Sequence, residues 1–527
     1  MTDRPVSVYG WGIVAPGARD MIAFKKLLDR GESALSPITH PGLGRDLFRV
    51  GIPDFDFEDY RPWVEANHGE ARFTQLRSKL GNNAQFAIGA ALQALGSNPG
   101  LEAAVKEADV GTHIYIGSGV GDLPESYAAS TAFGEATRRW HRFWSHPSRC
   151  EALRRFRETG VAADTEPVPV DPSTLEPDSE ERWAAFGAWD SYWAQRSDAL
   201  DTFEARYREI ESLPVTGDSS GAALNAIRQR QRLHRKLLDE TGCPLPPWDA
   251  VDPRLLWAIQ NVPAAEVSIL LGTHGPAWAP VGACSTFGIA LKLGFDAIAR
   301  GEAKVAIVGT TDPSPDPVLV AAFHRARLVP ASGGVSRPLT DLLGTHVSGG
   351  ACIWVLGDPS YLGARGLEPV GPELRAVALS SDAYHIITPS SEGPKNAIRA
   401  ALGVGEDQSP LAAWDMHATG TPGDLSELDL SREFVAPTTA VSARKGLFGH
   451  GMANAGGWEM TALALGMLEN RAPASGIDGA RMHPLAREKA AGRLICEAEP
   501  LEAGRAVKVM LGIGGITACA VLAHRRG

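Results

Sequence analysis

The chain has 527 residues, 44% of them hydrophobic and 21% charged, the composition of an ordinary globular enzyme. Its net charge of −11 argues against nucleic acid as the main partner. No apolar run approaches the roughly 20 residues that cross a bilayer. Cys150, Cys243, Cys284, Cys352, Cys496 and Cys519 are scattered without a CxxC pair or a histidine at metal spacing, so no metal site is expected. The opening Met1-Thr2-Asp3-Arg4-Pro5 lacks the basic and apolar regions of a secretion signal. A reduced, cytoplasmic enzyme is the expectation.

In chain order, Val6 to Val14 reads as a strand, Met21 to Leu28 as a short helix and Asn83 to Leu95 as an Ala-rich helix. His113 to Ile116 is a strand entering Gly117-Ser118-Gly119-Val120-Gly121, a loop whose glycines let backbone approach something closely. Composition then changes. From about Arg138 to Trp257 the chain holds seven of its 13 tryptophans, with helical spacing at Leu200, Phe203, Tyr207 and Ile210. A second helix carries Leu224, Ile227, Leu237 and Leu238 among Arg228, Arg230, Arg232, Arg235 and Lys236, and a Pro/Asp/Glu-rich loop spans Val161 to Glu180. This block reads as a mainly helical insertion. Beyond it, strands are expected at Lys304 to Val308, Ala351 to Leu356, Ala412 to Met416, Val507 to Leu511 and Ala518 to Ala523, with a helix at Trp458 to Leu468. Strands that deliver loops between helices indicate a layered α/β fold. No repeat in the sequence is strong enough to prove internal duplication.

One thiol stands out. Cys284 lies in Gly282-Ala283-Cys284-Ser285-Thr286, ahead of Phe287, Leu291, Phe295 and Ile298 at helical spacing. A cysteine in a helix's first turn meets free N–H groups and the positive end of the dipole, which favour a thiolate. Two histidines follow in loops, His417 in His417-Ala418-Thr419-Gly420-Thr421-Pro422 and His450 at the end of Lys445-Gly446-Leu447-Phe448-Gly449-His450. A nucleophilic thiol with two imidazoles suggests acyl transfer through a thioester. The bland alternatives are a buried core cysteine and capping histidines.

These segments resemble the β-ketoacyl-ACP synthases of the thiolase superfamily. The likeness includes Val6-Ser7-Val8-Tyr9-Gly10, Gly117-Ser118-Gly119, Asn261 to Ser268, Gly275-Pro276 and the Cys284 elbow. It continues through Ser336-Arg337-Pro338, both histidine loops and the glycine hairpin Gly512-Ile513-Gly514-Gly515. The resemblance implies a five-layer αβαβα fold with two similar halves, here divided as residues 1–137, an insertion at 138–257, 258–358 and 359–527. It implies Cys284 as acylated nucleophile, with the backbone N–H groups of Cys284 and Ile513 as oxyanion donors. His417 and His450 are the implied decarboxylation pair, and Lys445 orients the histidine loop. Thr419 and Thr421 are implied to bind the pantetheine arm; Asp424 and Glu427 read equally as helix caps. The family carries no permanent cofactor and works on acyl groups held by the phosphopantetheine of an acyl carrier protein. It forms homodimers, and a heterodimer with a paralogue is the alternative. Arg72, Arg77 and Lys79 fall where the acidic carrier docks, the run Arg228 to Arg235 being a second candidate.

The pattern departs from the family in three places. After Pro338 the usual acidic motifs are missing; Asp341 is the one acid left before Ala351, and His346 is a possible substitute. The gate Phe of the C-terminal hairpin is Ile513. The Trp-rich block has no family counterpart of that length and is expected to reshape the acyl pocket or dock a partner. Three other functions compete. A thiolase needs a second cysteine near the glycine hairpin, and Cys519 lies beyond it, in a strand. An initiating synthase needs Asn for His450, and Asn454 misses the loop pattern. A non-catalytic chain-length-factor-like subunit would lack the cysteine.

Overall fold

The computed structural model describes residues 4–44, 46–162, 164–214, 220–386, 390, 392–403 and 410–524. The first three residues of the N-terminus and part of the acidic loop at 161–180 lie outside the described residues. The chain divides into two compact units, one made of Met1–Pro124 with Leu256–Gly527, the other of Glu125–Leu255.

The first unit is built on an 11-stranded sheet. In chain order its strands are β1 (Val6–Val14), β2 (Thr112–Gly117), β3 (Ala277–Trp278), β4 (Val305–Asp312), β5 (Gly350–Gly357) and β6 (Glu373–Ser381). They continue with β7 (Leu411–Asp415), β8 (Ala440–Ser442), β9 (Arg493–Leu494), β10 (Arg505–Gly512) and β11 (Ile516–Ala523). The spatial order is β9-β8-β7-β10-β11-β6-β1-β5-β4-β2-β3. Outward from the centre, one half runs β1-β5-β4-β2-β3 and the other β6-β11-β10-β7-β8, with β9 added at its edge. Each half therefore places its first strand innermost, its last beside it, and its second and third outside. Topology thus shows the duplication that the residues do not. Between the two halves the strands pair at Val6↔Leu374 and Ser7↔Glu373.

The strands alternate between two cores, as a side-chain period of two requires. In β4, Ala306 and Val308 face a central core while Val305 and Ile307 face an outer one; in β5, Cys352, Trp354 and Leu356 oppose Ala351, Ile353 and Val355 in the same way. In the second half, Ala506 and Met510 of β10 with Ala518, Ala520 and Leu522 of β11 face the central core. Val507, Val509, Cys519 and Val521 face a third, outer core. The central core is filled by two helices, Thr286–Ala299 and Ala455–Glu469. The helices Asn82–Gly96 and Val262–Leu271 cover the first half. Gly393–Leu402 and Gly423–Ser431 cover the second. Three cores between two sheets and three helical layers make the expected αβαβα sandwich. The same period of two puts Cys519 on the outer face, away from the Cys284 helix.

Close packing of the first outer layer depends on two glycines in β1. A Cβ on Gly12 would lie 1.9 Å from the Ala90 carbonyl oxygen, and one on Gly10 2.2 Å from that of Ala94. Neither is a flexible side-chain tip, so the helix Asn82–Gly96 would have to move.

The second unit is helical, with Glu151–Thr159, Glu180–Ala194, Asp198–Glu211 and Ser220–Thr241 as its main elements. It begins earlier than position 138 because the helix Leu123–Trp144 runs unbroken through that position. Four of its six tryptophans are core, and Trp183 and Trp248 are exposed. Trp140 packs edge-on with Trp144, Phe203 and Trp248, while Trp189 and Trp193 pack with Phe156 and Tyr192. Trp257 belongs to the first unit.

Gly12→Ala is expected to destabilise the first unit by about 1–3 kcal/mol through overpacking, read as an earlier thermal transition. A variant that melts with the wild type would mean the helix has room to withdraw.

Candidate active site

The nucleophile turn is a 3-10 turn, Ala283–Ser285, that leads into the helix Thr286–Ala299. Ala283 takes a left-handed φ of 49°, uncommon for a residue with a Cβ. Two hydroxyls hold it there. Thr286 Oγ1 accepts from Gly282 N–H at 2.9 Å and donates to Ala283 O at 2.7 Å. Ser285 Oγ reaches Ile516 O at 2.8 Å and Met510 O at 3.1 Å. This second link pins the turn to the glycine hairpin, and Ile513 N–H consequently points at the Cys284 sulfur.

His417 follows β7. Its loop is held by carboxylates beneath it. Glu427 accepts from the N–H groups of His417 at 2.6 Å and Ala418 at 2.8 Å. Asp424 accepts from Thr419 N–H at 2.8 Å and from Gly420 and Leu339 N–H at 3.0 Å. These two acids are loop anchors. Burial raises Glu427 to about 7 and Asp424 to about 6 against the pull of those N–H groups.

His450 is delivered by the short helix Lys445–Phe448 and by Gly449, where φ is 76°. A Cβ there would meet Ser348 Oγ at 2.1 Å. His450 N–H donates to His346 O at 2.6 Å, and Ser348 N–H donates to His450 O at 2.9 Å. Met452 N–H donates to His450 Nδ1 at 3.1 Å. That bond makes Nδ1 the acceptor and leaves the proton on Nε2. An Nε2–H is a donor rather than a metal ligand.

These elements bring the thiol and both imidazoles together. One donor atom from each of Cys284, His417 and His450 lies within 4.8 Å of the other two, and all three side chains are buried. The rings of His417 and His450 are edge-to-face with centroids 5.4 Å apart. No other group of this kind occurs among the described residues. The three residues line a cavity of about 340 Å³ with Thr419, Thr421 and Ile513. The two threonine hydroxyls are 3.0 Å apart.

Burial dominates the electrostatics. It raises the Cys284 thiol to about 11, outweighing nearby Lys445 and the Ile513 N–H. The thiolate expected from the helix end is therefore not the resting form at neutral pH. Burial also holds both imidazoles well below their ordinary value, helped by Lys445. Both are neutral at pH 7.

Lys445 is wholly buried and donates to the His417 carbonyl and to Glu459 Oε1, the latter at 2.8 Å. Glu459 supplies the carboxylate that looked absent from the sequence. It comes from the helix Ala455–Glu469, not from the segment after Pro338. Asp341 instead pairs with Arg481 and accepts from Arg337 N–H. His346 is structural: Nε2 accepts from Ser336 N–H at 2.8 Å, Nδ1 lies 3.1 Å from Arg49 O, and burial drops it to about 4. Asp312 explains the Gly117-Ser118-Gly119 loop. It accepts from Ser118 Oγ and the N–H groups of Gly119 and Val120, and also from Ala453 N–H beside the His450 loop. Sequence reasoning missed Glu459, Lys508 and Asp312. The available signal was a lone charge within an apolar helix or strand.

The basic residues Arg72, Arg77 and Lys79 lie away from this cavity. Arg72 pairs with Glu266, Arg77 with Glu58 at 2.8 Å, and Lys79 stands 5.2 Å over the Trp257 ring. Arg230, from the second candidate run, binds Leu213 O.

A buried thiol and two imidazoles converge where the two similarly ordered halves of a thiolase-like fold meet. The family models for the Beta-ketoacyl synthase N-terminal and C-terminal domains match residues 216–356 and 372–476. Over these residues the chain carries the two β-ketoacyl synthase domains. A 3-oxoacyl-[acyl-carrier-protein] synthase 2 from Staphylococcus aureus is 28% identical over 262 residues, 48% of this chain and 64% of that protein. The chain spans less than two thirds of the length of the curated relatives it matches first. Two solved structures share the fold. One, "The ishigamide ketosynthase/chain length factor", covers 99% of this chain and 100% of its own at a TM-score of 0.66 and 18% identity. The other is a type II PKS acyl-carrier protein in complex with its ketosynthase, at 0.61 and 16% with the same coverage.

Alkylation of Cys284 by iodoacetamide, followed on its own peptide by mass spectrometry, is expected to quicken about tenfold per pH unit from pH 7 to 10, because only the thiolate reacts. A rate already flat at pH 7 would show a thiolate at rest.

Proposed function

We propose that the chain is a β-ketoacyl-[acyl-carrier-protein] synthase that joins an enzyme-bound acyl group to malonyl-ACP in fatty-acid or specialised polyketide synthesis. The observation that carries this reading is the convergence of Cys284, His417 and His450 within 4.8 Å in one cavity. The names of the matched synthase and of the carrier-protein complex support it.

The chemistry follows from the resting protonation states. A neutral imidazole takes the proton as the Cys284 sulfur attacks the acyl thioester. The oxyanion forms beside the N–H groups of Cys284 and Ile513. Its collapse expels the pantetheine sulfur, which takes the proton and leaves with the carrier. Malonyl-ACP then occupies the cavity, with Thr419 and Thr421 bonding its pantetheine. The bond to the carboxylate breaks, carbon dioxide leaves, and the electron pair becomes an enolate. Imidazole N–H groups of His450 and His417 stabilise the enolate oxygen without a metal. The enolate carbon attacks the acyl group, and Cys284 departs as a thiolate that is reprotonated from water.

The partner is an acyl carrier protein, whose acidic surface would meet the exposed Arg77 and Lys79. The assembly is a homodimer working in the cytoplasm, without a permanent cofactor. Six free cysteines are in keeping with a reducing compartment, and no described helix is long and apolar enough to cross a membrane. A chain-length-factor-like role is disfavoured because Cys284 is present and placed for attack.

Incubation with acyl-ACP is expected to add one acyl mass to Cys284, and Cys284→Ala to abolish the adduct. His417→Ala and His450→Ala are expected to slow malonyl decarboxylation by roughly a hundredfold or more. Absence of an adduct, while a known synthase acylates under the same conditions, would favour the partner-subunit role.

A further inference from the structure

Behind His417 lies a group of charges more elaborate than the Lys445–Glu459 pair. Asp415, the last residue of β7, has one oxygen 3.0 Å from Arg444 Nε and the other 2.8 Å from Lys508 Nζ. Glu459 is shared in the same way, Oε1 with Lys445 at 2.8 Å and Oε2 with Lys508 at 2.6 Å. Lys508 also donates to Met416 O at 2.7 Å, the carbonyl immediately before His417. All five side chains are at most 1% exposed.

Three cations face two carboxylates. Arg444 serves Asp415 and Lys445 serves Glu459, so each acid already has a cation of its own. Lys508 is the surplus. It sits in β10 in register with Asp415, on the face that looks into the central layer. A fully buried ammonium is costly to desolvate, and charge balance does not call for this one. Its location supplies a reason: a positive charge fixed in a dry interior, one residue from an imidazole that meets an anion.

We propose that Lys508 is a positioning residue for the decarboxylation half-reaction, its surplus charge acting through His417 and His450 to favour negative charge on the enolate oxygen that they face over negative charge on the malonyl carboxylate from which it comes. The inference rests on the synthase reading above. Lys508 helps depress both imidazoles. The Cys284 thiol answers to burial, Lys445, backbone N–H groups and Asp312. Its bond to the Met416 carbonyl, next to His417, places Lys508 on the histidine side of the cavity. The imidazoles are otherwise faced by Lys445, by each other and by Cys284. Glu427 and Asp424 stand beneath the His417 loop, Asp312 behind Ala453, and Asp415, Glu459 and Arg444 behind Lys508. Among these, Lys508 can be removed while leaving two complete ion pairs.

The test uses the full chain with Lys508→Met. At pH 8, where the imidazoles are neutral in either protein, acylation of Cys284 should run at or above the wild-type rate, because an imidazole relieved of a neighbouring cation is the better base. Release of carbon dioxide from malonyl-ACP should slow about tenfold, the scale of one charge acting in a medium of effective dielectric near 20. The acidic limb of decarboxylation should move to higher pH, because loss of a neighbouring cation eases imidazolium formation. Equal loss of both half-reactions, or an unchanged decarboxylation rate and limb, overturns the proposal. Asp415→Asn supplies the opposite sign by enlarging the surplus. Its acidic limb should move to lower pH, and this variant decides the matter if Lys508→Met does not fold; a limb that stays in place overturns the proposal. A wild-type chain that never acylates Cys284 overturns the synthase reading itself, and the inference with it.

Discussion

The site depends on one buried contact, the Lys445 ammonium held between the His417 carbonyl and Glu459. Lys445 lies five residues before His450, so one side chain fixes the position of both histidine loops at once. The contact survives burial because the ammonium is both paired and hydrogen-bonded; removing either partner would strand a charge in the interior, at a cost of about 3–5 kcal/mol. The loops on either side are tied by backbone bonds to carboxylates and carbonyls that solvent does not reach. The imidazoles consequently have little freedom to turn away from the thiol, which is the kind of preorganisation that charge stabilisation requires.

Burial sets the chemistry as much as geometry does. In water a thiol and two imidazoles would be partly ionised near neutrality. Here the thiol stays protonated and the imidazoles stay neutral, so the resting site carries its protons on sulfur and on ring nitrogen. That state suits attack assisted by a base and donation to an enolate. The tautomer of His450 is fixed by the backbone at Met452, not by an acidic side chain, so no carboxylate competes with the anion for the ring's N–H.

Much of this was legible from residues. The strand at Val6–Val14, the Cys284 turn and both histidine loops carried local signals of period, glycine placement and residue type. The ion network did not, because Glu459, Lys508 and Asp415 come from a helix and two strands far apart in the chain, and only their shared side of the sheet brings them together. β6 was missed since Glu373–Ser381 mixes Ala, Leu and Arg, residues equally at home in a helix. The expected start of the helical block at 138 falls inside the helix Leu123–Trp144, whose sequence gives no break where the tryptophans begin. The carboxylate behind Lys445 was sought in the wrong segment, since likeness to a pattern says where an acid usually stands and not which other element can supply it.

The pairing of β1 with β5 has a consequence for synthesis. Val14 and Ala351 are partners in register, so β1 cannot complete the first half until 337 further residues have been made. At about 5–20 residues per second, that leaves β1 without its neighbour for roughly 20–70 s. The helical unit, whose contacts are local, emerges entire during this interval. The newborn chain therefore carries an unmated apolar strand throughout that interval, the situation in which a ribosome-associated chaperone has something to shield.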